Sequence, residues 1–195
     1  MVKKQCYTTL LKLHQAHHKL CTVGLKKTAT QPVFGDGNPK ADIVFIGEAP
    51  GKKEDATGVP FVGAAGKFLA EMLASIKLKR QDIYITNIVK YRPPENRDPT
   101  PKEKIACAPW LYDELNFIQP KLIIFLGRHS MNNFFPDLKI ADVHGILIHQ
   151  KLPHITTEYF LPLYHPAAAL YNGSMRETLL KDFKKIPLLL RKIKR

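Results

Sequence analysis

Two stretches of this 195-residue chain run apolar for four or five residues and then stop at a glycine. They are Ile43-Val44-Phe45-Ile46 before Gly47 and Leu122-Ile123-Ile124-Phe125-Leu126 before Gly127. A strand with one wet face would alternate polar and apolar side chains. A short run without polar interruption is instead the pattern of a parallel strand covered on both faces. Ile83 to Val89 (IYITNIV) reads as a further strand, and Gly145 to His149 and Tyr159 to Tyr164 as two more candidates. Between these runs Phe68, Leu69, Met72, Leu73 and Ile76 recur at helical spacing. Thr100-Pro101-Lys102-Glu103 supplies a capping threonine, a first-turn proline and a reciprocal glutamate. The helix it opens passes through Leu111 and Leu115, where Pro109 is expected to kink or interrupt it.

Strands alternating with helices predict an α/β protein. The expectation is a single three-layer α/β/α domain over residues 1–195, on a central, mostly parallel four-stranded sheet. Residues 1–32 form an N-terminal helical segment around Leu10, Leu11, Leu13 and Leu20, and residues 175–195 a basic C-terminal helix broken at Pro187. No internal repeat or low-complexity linker interrupts the chain.

Charge narrows the partners. Thirty Lys and Arg against 17 Asp and Glu leave a formal charge of +13, which favours polyanions through counterion release. Nucleic acid is the commonest such partner, although an anionic membrane surface or a ribosome-like assembly would fit the same charge. The start of the chain has no secretory pattern, and no run approaches the length of a membrane span. Three widely spaced cysteines, Cys6, Cys21 and Cys107, do not make a disulfide framework. The expectation is an intracellular protein, cytoplasmic or nucleoid-associated, or nuclear in a eukaryotic or viral setting.

In open parallel sheets ligands sit beyond the carboxyl ends of the strands. The residues there are Gly47-Glu48-Ala49-Pro50-Gly51, Asn87, Gly127-Arg128-His129 and His165-Pro166. Glu48 on its glycine-flanked loop is either a helix-capping carboxylate or a general base. Phe61, between Pro60 and Gly63, is either core or a stacking platform. Asn87, in an apolar strand, is either locked to backbone or reads a ligand edge. His165, ahead of Pro166, is a candidate to face the same ligand.

In order along the chain, GEAPGKKED, GVPFVGAAG, ITNIVKYRPPENRDP and HPAAAL resemble the family-4 uracil-DNA glycosylases, over a stretch from about Val33 to about Asp182. The resemblance implies an enzyme that flips uracil out of single- or double-stranded DNA and hydrolyses its glycosidic bond, leaving an abasic site. Glu48 would then position or activate the attacking water, and His165 would bond uracil O2. Gly47 and Ala49 would bring backbone to the uracil, Phe61 would stack on it and Asn87 would read its edge. Ala167, Ala168, Ala169 and Leu170 would enter the minor groove. Arg176 and the basic C-terminal segment would contact DNA, and a monomer with no lyase lysine is expected.

The family also carries a four-cysteine iron–sulfur cluster, with spacings C-x2-C and C-x15-C. Tyr91 stands where the third cysteine belongs, fifteen residues before Cys107, and the N-terminal pair keeps at most Cys21. No cofactor and no metal are therefore expected, with Cys21 and Cys107 as small buried hydrophobes and Tyr91 filling space. A catalytically silent uracil-DNA or DNA-binding member of the fold is the alternative. An unrelated enzyme using Gly47 to Gly51 as a phosphate loop would need a Walker or dinucleotide pattern that is absent.

Overall fold

The computed structural model describes residues 8–193. The strands form one sheet in the order β1-β3-β2-β4-β6-β5. Four of them, β2 (Ile43–Gly47), β3 (Tyr84–Asn87), β4 (Leu122–Leu126) and β6 (Tyr159–Leu163), lie parallel. The two others, β1 (Asp36–Gly37) and β5 (Ile148–His149), are two-residue antiparallel edges. The sheet thus has six strands around the expected parallel four. β3 is shorter than Ile83–Val89, and β5 is shorter than Gly145–His149. The Ile88 and Val89 amides still donate to Gly47 and Glu48 carbonyls, at 3.0 and 3.2 Å, as the chain leaves the ladder.

Strand side chains alternate between faces, and the uninterrupted apolar runs serve two cores at once. Val44, Ile46, Ile123 and Phe125 face one core, with α1 (Leu10–Leu20) and α4 (Pro101–Ile118). Ile43, Phe45, Leu122, Ile124 and Leu126 face the other, with α3 (Ala64–Ser75) and α7 (Gly173–Phe183). This is the three-layer arrangement. Shorter helices complete it: α2 (Lys52–Thr57), α5 (Arg128–Asn132), α6 (Ile140–Val143) and α8 (Ile186–Ile193).

Of the two expectations about proline, the interruption of α4 at Pro109 and the break at Pro187 are corrected. α4 continues past Pro109. Pro109 sits on the exposed side of the helix, and so does Ile105, whose carbonyl loses its partner there and can turn to water. The C-terminal segment breaks at Lys184-Lys185, not at Pro187. Pro187 is the second residue of α8, in the first turn, where a missing N–H leaves no hydrogen bond unmade. The cap read from the sequence is present. Thr100 accepts from the Glu103 amide at 3.3 Å, and Glu103 accepts from the Thr100 amide at 2.7 Å.

β2 lies centrally, with β3 on one side and β4 on the other. The strand order therefore reverses at its carboxyl end, where an open α/β sheet leaves a crevice.

Phe45 is fully buried and stacks on Phe183 with centroids 5.8 Å apart. Phe45→Ala is expected to cost about 3–5 kcal/mol, while Thr100→Ala, which removes one cap, costs about 1 kcal/mol. Urea denaturation of both variants checks the ranking.

Candidate functional site

Gly47 and Asn87 are paired across β2 and β3 at the strand ends. A Cβ built on Gly47 would lie 2.4 Å from Asn87 Oδ1 and 2.6 Å from Phe61 Cζ, so only glycine lets these two side chains converge. Above them opens a cavity of about 550 Å³ whose walls include Glu48, Ala49, Phe61, Asn87, His165 and Ala167. The residues nominated from three separate strand ends meet in one place.

Phe61 has the left-handed φ of +55°, uncommon for an aromatic residue. Its loop is held on both sides. Glu54 accepts the Val62 and Gly63 amides at 2.9 and 2.7 Å, and Arg80 donates to the Pro60 and Phe61 carbonyls at 2.5 and 3.4 Å. The Gly66 backbone packs so close that a Cβ there would meet the Phe61 carbonyl oxygen at 1.9 Å. The ring that results is buried and lies 5.9 Å from the His165 ring, tilted by 33°.

Asn87 is held from beneath by a charge network. The Lys90 ammonium donates to the Asn87 carbonyl at 2.9 Å and pairs with Glu114 at 2.7 Å, and it also donates to the Thr86 hydroxyl. Glu114 further accepts from Thr86 and Tyr84, at 2.9 and 2.8 Å, and lies 3.2 Å from His14 Nε2. Burial alone would push the Glu114 carboxyl up, but Lys90 and His14 outweigh it and hold the group well below the ordinary range. With its main chain fixed, Asn87 leaves its buried Oδ1 without a hydrogen-bond partner.

Glu48 also has a buried carboxylate oxygen, Oε1, without a hydrogen bond. Its pKa is raised to about 7, mainly by burial and then by Asp98, with Lys104 and Arg128 opposing. His129 Nδ1 lies 3.4 Å from Glu48 Oε1, and its Nε2 lies 3.3 Å from Asp98. Arg128 Nε donates to that Nε2 at 3.1 Å, so the neutral ring carries its proton on Nδ1. His165 accepts from the Ala167 amide through Nδ1 at 3.1 Å, which leaves Nε2 as its N–H donor. Burial, then His129, lowers its pKa to about 4, so the ring is neutral at pH 7.

Sequence reasoning nominated other residues that lie outside this wall. Ala168 lines an adjoining hollow with Glu48 and His165, Ala169 packs against the α3–α7 core, and Leu170 is 44% exposed. Arg176 pairs with Glu71 and lies over the Phe68 ring at 4.4 Å. Sequence reasoning also missed Glu54, Arg80, Asp98, Lys90 and Glu114, which act on the site from other elements. Tyr171, 91% exposed at the cavity mouth, was missed as well, although it directly follows a nominated loop.

These features match a known family. The model of the Uracil DNA glycosylase superfamily matches residues 34–187. The chain belongs to the uracil DNA glycosylase superfamily. A type-4 uracil-DNA glycosylase of Archaeoglobus fulgidus is 48% identical over 166 residues, covering 83% of each chain. One of Thermotoga maritima is 38% identical over 189 residues, covering 94% of this chain and 96% of that one. A type-5 uracil-DNA glycosylase of Thermus thermophilus is 37% identical over 116 residues, about half of each chain.

Type-4 members of the superfamily carry an iron–sulfur cluster, and the donors here do not fit one. The chain has three cysteines, of which Cys6 lies outside the described residues. Cys21 and Cys107 are buried beside His17, while Tyr91 is buried in the same core and bonds His18 Nδ1 at 3.1 Å. Four thiolates are not available. No described helix is long and apolar enough to cross a membrane.

Glu48 has a sharp consequence for stability. Its raised pKa means that the folded state holds the proton more tightly than the unfolded chain. Stability therefore falls as pH rises from the ordinary carboxyl range through about 7, and the full cost applies above that. Glu48→Gln is expected to stabilise the protein by up to about 3 kcal/mol at pH 8 and by little at pH 5. Urea denaturation at both pH values tests this.

Proposed function

We propose that the protein excises uracil from DNA by hydrolysing the N-glycosidic bond, leaving an intact abasic strand. The observation that carries this reading is the pair of unpartnered buried oxygens, Asn87 Oδ1 and Glu48 Oε1, on the wall of one cavity with Phe61 and His165. An unmet buried acceptor costs about 1–3 kcal/mol, and a ligand N–H would recover it. Uracil N3 carries a hydrogen and can donate to Asn87 Oδ1. Cytosine N3 carries none and would place a lone pair against it.

The rest follows from charge. A base inside the duplex must be extruded, at a cost of a few kcal/mol, and Phe61 gives it a face to stack on. As the glycosidic bond breaks, positive charge grows on the sugar and negative charge on uracil. The Nε2–H of neutral His165 can stabilise the anion at O2. Ionised Glu48 can oppose the sugar charge and take the proton of the attacking water. Among the described residues no lysine lines the cavity, and the nearby Lys90 is committed to Glu114. Hydrolysis, without a Schiff base, is the chemistry these groups support.

DNA would approach along the strand ends, with Ala167, Ala168, Ala169 and Leu170 entering the minor groove beside exposed Tyr171. The +13 charge supplies affinity for single- and double-stranded substrate, and we read the protein as a monomer acting inside the cell without an iron–sulfur cluster. The alternative of a silent binder has no observation in its favour, since both charge-handling positions hold competent groups.

The decisive experiment is cleavage of a uracil-containing oligonucleotide by alkali after incubation with the protein. Glu48→Ala and His165→Ala should each slow single-turnover excision at least about a hundredfold, with little change in DNA affinity. Near-normal rates in both would overturn the assignment. In the wild type the anion of Glu48 is the active form, so the rate should climb with pH through about 7 and then level off. Single-turnover rates from pH 5.5 to 9 would reveal it, and Glu48→Gln should flatten the profile.

Asn87→Asp should lose most uracil excision, because its carboxylate at neutral pH sets a charge against uracil O4. Competition between uracil- and cytosine-containing oligonucleotides would measure the loss of discrimination.

A further inference from the structure

His17, Cys21 and Cys107 lie outside the cavity and have no part in the glycosylase reading. His17 and Cys21 are four residues apart, on α1 and at its C-terminal cap, and Cys107 is on α4, which packs against α1. Their relative exposures are 2%, 4% and 1%. One donor atom from each lies within 4.8 Å of the other two. His17 Nε2 is buried without a hydrogen-bond partner. Its ring is fixed in place by stacking on Trp110, with centroids 5.1 Å apart and planes within 7°.

Two thiols and an imidazole are too few and too mixed for a four-thiolate cluster, but they are the donor set of a single borderline-soft ion. Tetrahedral zinc has Zn–S bonds of about 2.3 Å and Zn–N bonds of about 2.0 Å. Those lengths put the donors about 3.6–3.8 Å apart, a contraction of at most about 1 Å, since every pair already lies within 4.8 Å. We propose that His17, Cys21 and Cys107 bind one zinc-class ion that clamps α1 onto α4, with an oxygen from Tyr91 or water as fourth ligand. Binding would release one proton from each thiol and change no oxidation state. A Cys21–Cys107 disulfide would also use both sulfurs, but it would leave His17 buried and unsatisfied.

The test uses the full chain, expressed in zinc-supplemented medium and purified under reducing conditions without a metal-affinity step. Elemental analysis should find about one zinc per chain. Stripping with a strong chelator under mild denaturation should lower the thermal midpoint, and adding zinc back should restore it. Cobalt added to the stripped protein should give a thiolate-to-cobalt charge-transfer band and tetrahedral visible bands. His17→Gln should weaken cobalt binding at least about tenfold. Failure of the wild type to retain zinc or to bind cobalt would overturn the proposal, whatever the variant does. So would a Cys21–Cys107 disulfide in the freshly purified protein by mass spectrometry, or a brown preparation carrying about four irons. Because metal content and cobalt spectra do not depend on excision, failure here leaves the glycosylase reading untouched.

Discussion

The buried Lys90–Glu114 pair sets the geometry on which the site depends. Both side chains are almost wholly excluded from water, and they come from different elements, one just past β3 and the other inside α4. Placing two charges there is expensive, and removing either partner alone would strand the other at a cost of about 3–5 kcal/mol. What the pair offers is orientation. Lys90 has three N–H donors and uses them on Glu114, the Thr86 hydroxyl and the Asn87 carbonyl. Glu114 spends its own lone pairs on Tyr84, Thr86 and His14. The main chain at Asn87 is thereby tied to α1, β3 and α4 together. A side-chain amide proposed to tell an N–H from a lone pair needs a backbone that does not yield, and this network provides one.

The Phe61 loop solves a similar problem with backbone strain. A left-handed aromatic residue is costly in isolation and persists only where its surroundings over-determine it. Here Glu54 holds the loop through its amides and Arg80 through its carbonyls, and the Gly66 backbone packs against it. The outcome is a ring presented edge-on to Gly47 and near His165. Both holding residues are ordinary charged side chains whose purpose is visible only once the loop is folded.

That difference explains what could be read from the sequence. The apolar runs ending at Gly47 and Gly127 carried the sheet, because period and burial are local properties of a strand. The carboxyl-end rule then carried Glu48, Asn87 and His165 to one rim, since parallel strands share a direction. The edge strands β1 and β5, with two residues each, have too little pattern to register. An interruption at Pro109 could not be decided locally, because sequence shows a missing N–H but not whether the released carbonyl faces water. Lys90 and Glu114 were illegible for a deeper reason. They lie 24 residues apart in sequence, and nothing local distinguishes them from solvated surface charges.

The two groups proposed to act in catalysis are separated by their surroundings. Burial acts on both Glu48 and His165, yet it drives a carboxyl up and an imidazole down, toward the neutral form in each case. The result is a carboxyl poised near neutrality at about 7 and an imidazole neutral above about 4. A protonated His165 would bind anions more strongly, but it would be hard to keep charged while buried so near His129. A neutral donor fixed by the Ala167 amide requires no proton transfer before it can meet the charge growing on a leaving base. Glu48 does the reverse, because its proposed value lies in the anion, which opposes the positive charge growing on the sugar. In the proposed reaction, two groups whose pKa values are driven in opposite directions by one environment divide the labour of charge separation between them. The same desolvation that makes Glu48 unstable as an anion in the free protein makes that anion more effective once positive charge forms beside it.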